Sequence, residues 1–254
     1  GCEKPTSPPP TAPVGPSAER PPADPAGLSA PHQGARAAAG GDSESPGRLQ
    51  GDIWEILRIE GTRVGYGHTR FDRQTREGRP VVRFETRQQM TVERFGQPTQ
   101  VEVSATSLET PGGRLIRFES EMSMGPTPMR TVGRVEEDTL RLEITTAGRT
   151  KQTTLPWSED YGGLAAVDLS LANEPLEPGQ ERTIRSLEPG VNVLATRHLR
   201  ADRFEEVELP TGTRKLLRIE SVTRLPDGQQ FRGRLWADDQ GAVLKRWTEM
   251  FNME

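Results

Sequence analysis

A chain of 254 residues with 22 prolines, 26 glycines and only 32% hydrophobic content has room for one large domain or two small ones, with apolar material that is low for its length. Its net charge of −4 is small and its charges of both signs are interspersed, which argues against a nucleic-acid partner. No apolar run approaches the ~18 residues that span a bilayer as a helix, and the lone cysteine excludes a disulfide framework or a cysteine-based metal site.

In chain order, the first segment is a tail. Half of all the prolines fall in residues 1–50, with Ala, Gly and Ser filling most of the rest and Leu28 and Leu49 nearly the only large apolar side chains. Such a stretch cannot bury enough surface to offset its ordering entropy, so it is expected to be a flexible tether. The only cysteine, Cys2, stands at its head, behind Gly1 and ahead of a Pro/Ser-rich run. A chance terminal thiol is the bland reading. The arrangement resembles a bacterial lipoprotein cut at its lipobox, and that resemblance implies acyl chains on Cys2, a membrane reached through the anchor, and the periplasmic face of a bacterial cell envelope.

From residue 51 to 254 the pattern predicts one β-rich domain. Val82, Phe84, Thr86, Gln88, Met90 and Val92 share one parity while Arg83, Glu85, Arg87, Gln89, Thr91 and Glu93 take the other. Ile116, Phe118, Met122 and Met124 repeat the alternation, as do Leu140, Leu142 and Ile144. Period-two patterning puts one set on a buried face and the other in water, the mark of an antiparallel sheet with one wet side. Turn residues separate the runs: Pro111-Gly112-Gly113, Ala147-Gly148, Pro189-Gly190, Pro210-Thr211-Gly212, Pro226-Asp227-Gly228 and Asp239-Gln240-Gly241. About twelve strands follow, mostly up and down, some long enough to coil into a half-barrel or open barrel. The expected fold is therefore all-β, a large antiparallel sheet with one short covering helix.

That helix is expected over 158–173, begun by Ser158 with acidic Glu159 and Asp160 in its first turn and ended before Pro175. Leu164, Val167 and Leu171 would form its buried stripe. It serves either as a plug in the open side of the curved sheet or as a mobile lid.

Catalytic chemistry is hard to find. His32 lies in the tail, and His68 and His198 have no second histidine nearby, so no metal is expected. The acid pairs Glu136-Glu137, Glu205-Glu206 and Asp238-Asp239 read as turn charge or as strand neighbours facing opposite sides. Gly65-Tyr66-Gly67 is not a phosphate loop, and no G-x-S-x-G elbow occurs. No enzyme activity and no cofactor are expected. The residues able to line a groove are Trp54, Tyr66, Trp157, Tyr161, Leu164 and Trp236, which serve a ligand site or simply the core.

Several motifs together look familiar. Trp54 followed by Gly65-Tyr66, the helix leading into Glu174-Pro175-Leu176-Glu177-Pro178-Gly179-Gln180, the strand Glu208–Lys215 and the hairpin Leu235–Lys245 resemble the N-terminal, non-catalytic domains of bacterial transglutaminase-like proteins. They are also similar to periplasmic half-barrel domains related to lipoprotein carriers. The resemblance implies a half-barrel that binds a hydrophobic ligand or partner in its concave face, or an accessory domain of a transglutaminase-like protein. The alternative is an interaction module docking another envelope protein through a sheet edge, expected near Asp52–Glu60 or the C-terminal strand.

Overall fold

A computed structural model describes residues 49, 51–94, 96–125, 127–249 and 253–254; Cys2, His32 and the expected tether, Leu49 apart, lie outside them. Leu49 is buried among Phe71, Val82, Phe84 and Leu169, so the folded unit takes in one residue ahead of the expected boundary at 51.

Eight strands run up and down in sequence order: β1 (Gly51–Ile59), β2 (Thr62–Arg76), β3 (Arg79–Arg94), β4 (Gln97–Glu109), β5 (Leu115–Met124), β6 (Met129–Glu136), β7 (Thr139–Thr146) and β8 (Arg149–Pro156). A two-residue strand β9 (Tyr161–Gly162) and the helix α1 (Ala166–Asn173) interrupt the meander. It resumes as β10 (Glu181–Glu188), β11 (Val193–Leu209), β12 (Gly212–Arg224), β13 (Gln230–Ala237) and β14 (Val243–Thr248), a second sheet in the order β14-β13-β12-β11-β10-β9. All neighbours are antiparallel except β9 on β10. The fold is the expected all-β half-barrel, with one short helix and fourteen strands among the described residues rather than about twelve strands.

Isolated bridges link the sheets: Arg114 pairs with Gly162 at one seam, while Ile59 and Thr248 both pair with Met253 at the other. The second link matters for the edge expected at Asp52–Glu60, because Arg58 and Glu254 exchange two backbone hydrogen bonds there. That edge is closed at its C-terminal end.

Register arranges the inward side chains in rows across the strands. One row reads Phe71, Phe84, Ser107, Phe118, Gly133, Leu142. Gly133 is required in it, since a Cβ there would lie 2.1 Å from the Phe118 ring. This row faces α1, whose Leu169 packs on Phe71, Val82 and Phe84 while Val167 and Leu171 pack on Leu199, Leu217, Ile219 and Leu235 of the second sheet. The helix is thus the filling between two sheets, which is the plug and not the lid. Leu169 and Leu171 are fully buried, each contributing roughly 1.5–3 kcal/mol of apolar transfer.

The helix starts at Ala166, not at Ser158. Residues 158–160 form a turn in which the Ser158 hydroxyl donates to Asp160, and Gly162-Gly163 sit outside the helix in close-packed backbone. A Cβ on Gly162 would fall 2.4 Å from Ala166 Cβ, and one on Gly163 2.4 Å from the Glu109 carboxyl, so neither position tolerates a side chain without rearrangement.

Candidate functional site

An eight-residue helix is too short to be stable alone, and α1 has neither a side-chain N-cap nor a basic last turn. Its ends are held by the sheets instead. At the N-terminus Glu109, the last residue of β4, accepts hydrogen bonds on Oε1 from Ala165 N at 3.0 Å and Ser107 Oγ at 2.5 Å. At the C-terminus Arg182 of β10 donates through Nη1 to the carbonyls of Ser170 and Glu174, both at 2.8 Å, and to Ser170 Oγ at 3.0 Å. The guanidinium at the negative end complements the helix dipole, while the carboxyl oxygen at the other end accepts from a backbone N–H that the helix leaves free.

Arg182→Ala removes three contacts from the last turn, taking the guanidinium from the Glu174 carbonyl and leaving the Ser170 carbonyl only its bond from Glu174 N at 3.1 Å. It is expected to lower stability by about 1–2 kcal/mol in a urea denaturation. An unchanged midpoint would mean that water replaces the guanidinium at no loss.

Glu109 is wholly buried, with Oε2 lacking any partner. Burial raises its pKa from 4.5 to about 7 against the lowering pull of Ser107 and the backbone at Ala165 and Leu164, with the charge of Asp168 adding to the rise. Glu109 belongs to no motif, but its parity marks it: Val101, Val103, Ala105, Ser107 and Glu109 alternate along β4, so the acid falls on the buried face. A second, part-exposed charge set tethers the same helix, where Asp168 pairs with Arg246 of β14, itself 3.8 Å from Glu55 of β1.

On the outer side of α1 the seam between the β4–β5 hairpin and β10 opens into a groove of about 200 Å³. Gly112, Gly113 and Arg114 form one wall, β9 and residues 182–185 of β10 the other, and Ala166 and Ser170 the floor. Its arginines are matched by acids: Arg114 with Glu159 at 3.4 Å, Arg185 with Asp160 at 3.7 Å, Arg182 with Glu174 at 3.2 Å. The Ser158 hydroxyl holds the Asp160 carboxyl below its ordinary range. The groove therefore offers backbone and paired charges, and no nucleophile set against a base.

β9 contributes only two residues to the edge of β10, pairing with Arg185 and Ser186. The edge from Glu181 to Ile184 has no neighbouring strand among the described residues. The edge strand β8 carries Arg149 and Lys151 and ends at Pro156, residues that discourage further pairing.

The residues expected to line a site separate into three places. Trp157, Tyr161 and Leu164 come together with Leu115, Phe118 and Leu187 in one cluster, the Trp157 and Tyr161 rings edge to face at 5.6 Å, and Trp157 is buried. Only Tyr161 reaches the seam groove. Trp236 is buried in a separate cluster with Val207 and Leu216, its Nε1 donating to Glu205 at 2.7 Å. Trp54 and Tyr66 lie together on the water-facing side, 68% and 41% exposed, and so do not line the concave face. Among the described residues no group of three His, Cys, Asp or Glu is placed to hold a metal, and no helix is long and apolar enough to cross a membrane.

No protein-family model and no curated protein matches this sequence. Two solved structures align with it. A DUF1089-family protein from Pseudomonas aeruginosa aligns over 70% of this chain and 88% of its own at 11% identity, with a TM-score of 0.34 that is too low to bear on the fold. A beta-barrel-like protein of the domain of unknown function DUF1849 from Brucella abortus aligns over 80% of this chain and 92% of its own at 9% identity and a TM-score of 0.57. Neither of these two is described as transglutaminase-like, and the second likeness is one of fold: this chain is built as a beta-barrel-like half-barrel.

Proposed function

We propose that this chain is a non-enzymatic, lipid-anchored module of a bacterial cell envelope that engages an extended segment of a partner protein along the open edge of β10. The observation that carries the reading is the four-residue gap beside β9: Tyr161–Gly162 already pairs parallel with Arg185–Ser186, and the groove runs on past residues 182–184 with no strand in it among the described residues. Backbone hydrogen bonds to such an edge supply affinity without a deep pocket. The resemblance of Cys2 and the Pro/Ser-rich sequence behind it to a lipoprotein N-terminus supports the anchor, and the plugged interior turns attention from a ligand beneath the helix to the surface. The resemblance to domains accompanying transglutaminase-like enzymes makes such an enzyme one candidate partner.

Hydrogen exchange tests this. In the isolated protein, backbone amides of residues 181–184 that do not bond to β11 exchange fast, and in a complex isolated from envelopes they become protected. Equal exchange in both states would refute edge docking.

A hydrophobic ligand is the second reading, favoured by one strip of the inner face. Register aligns Met90, Val101 and Met124 in one row and Val103, Met122 and Met129 in the next, with Met124 49% exposed. Thioethers offer adaptable apolar surface. A ligand there would slow exchange in β3–β6 and leave residues 181–184 unchanged.

A further inference from the structure

Trp54 is the most exposed of the large apolar side chains, and its surroundings are ordered by specific contacts. Its ring stacks on His68 at 4.3 Å with 22° between planes, and His68 Nε2 meets Asp52 Oδ1 at 2.8 Å. Tyr66 lies 6.2 Å from Trp54 with its hydroxyl bonded to Gln89. Cross-strand register then continues the row outward as Trp54, His68, Arg87, Ser104 over β1 to β4. Beside it runs a shallow groove of about 190 Å³ lined by His68, Arg70, Glu85, Arg87, Ser104 and Thr106.

We propose that this face is a binding site for an extended, uncharged polysaccharide. One face of the Trp54 indole is occupied by His68, which fixes the ring, and the residue's 68% exposure leaves surface to take the apolar face of a sugar ring. The groove then supplies planar and hydroxyl donors and acceptors, the groups that fix orientation in a polar site. Charge selects the ligand. Arg87 is paired to Glu102, Arg83 to Glu85, and Asp52 meets His68, so the arginines here are largely matched by acids and the surface holds no strong cationic excess for lipid headgroups or nucleic acid. Spacing fits as well: neighbouring strands lie about 4.8 Å apart, close to the length of one sugar unit, so the row from Trp54 to Ser104 spans about three units of an extended chain.

The test uses the full chain with chitohexaose and cellohexaose as probes, followed by tryptophan fluorescence and calorimetry. Saturable binding is expected, weakened at least about tenfold by Trp54→Ala and also weakened by Arg87→Ala in the groove. Trp54 is mostly exposed, so its replacement leaves folding intact, which circular dichroism checks. Absence of binding to both oligosaccharides overturns the proposal, as does binding that neither substitution alters. Trp54-dependent binding to phosphatidylglycerol vesicles, with none to the sugars, assigns the face to a membrane and overturns it too.

Discussion

Replacing Gly241 by alanine is expected to destabilise the protein by about 4 kcal/mol, a large part of the 5–15 kcal/mol that holds a domain folded. Two effects add. Gly241 sits at φ +77°, a left-handed conformation that costs an L-residue roughly 1–2 kcal/mol. The new Cβ would also lie 2.0 Å from the carbonyl oxygen of Leu171 and 2.5 Å from its carbon, both backbone atoms of the buried helix. Neither side can yield easily. The turn is braced by Asp238, whose Oδ1 accepts from Gln240 N at 3.0 Å and Ala242 N at 2.9 Å, and α1 is wedged between the sheets. Overpacking of that kind costs roughly 1–3 kcal/mol. Gly228→Ala is the matched control: its φ is +87°, but nothing lies within 4 Å of the added Cβ. Chemical denaturation of both variants should place Gly241→Ala about 2–3 kcal/mol below Gly228→Ala; equal losses would show that the turn, not the plug, sets the effect.

What the sequence could reveal was whatever repeats along it. Strand alternation is written residue by residue, and so the antiparallel half-barrel and its turns were legible from Val82–Val92, Ile116–Met124 and Leu140–Ile144. The helix was legible as an interruption, but its start was misplaced, because Ser158-Glu159-Asp160 has the composition of a cap while the real anchors lie far away in sequence. Glu109 is 56 residues from Ala165, and no local rule pairs them. The aromatic residues show the same limit from another side. Trp54, Trp157 and Trp236 look alike in a sequence, yet one is water-facing, one fills a seam and one closes a small cluster on the second sheet. Only the register of each strand and the direction of its curl decide which.

The carboxyl that anchors the plug should also set how stability depends on pH. With its pKa raised from 4.5 to about 7, folded Glu109 keeps a proton that the unfolded chain releases. The folded state therefore binds more protons across that window, and stability is fully present below pH 4.5 and lost as the pH rises through 7, by about 3 kcal/mol in all. Paired surface acids act in the opposite sense, so the contribution has to be isolated by difference. Glu109→Gln keeps an oxygen able to accept from Ala165 N and Ser107 Oγ while removing the ionisation. Subtracting its denaturation free energies from those of the wild type should leave a curve that is level below pH 4.5 and falls toward pH 8, where the glutamine protein is the more stable. A flat difference would mean that the ionised carboxylate reaches solvent or a cation when it forms. The same experiment bears on function, because Gly113 links the groove to this helix end: Gly163 N donates to Gly113 O at 2.9 Å, directly beside the Glu109 carboxyl. Ionising Glu109 places a second negative charge beside Asp168 under the first turn of α1. A partner seated in the seam groove rests on Ala166 and Ser170 of that helix, so its affinity should weaken above pH 7 in the wild type and hold level in Glu109→Gln.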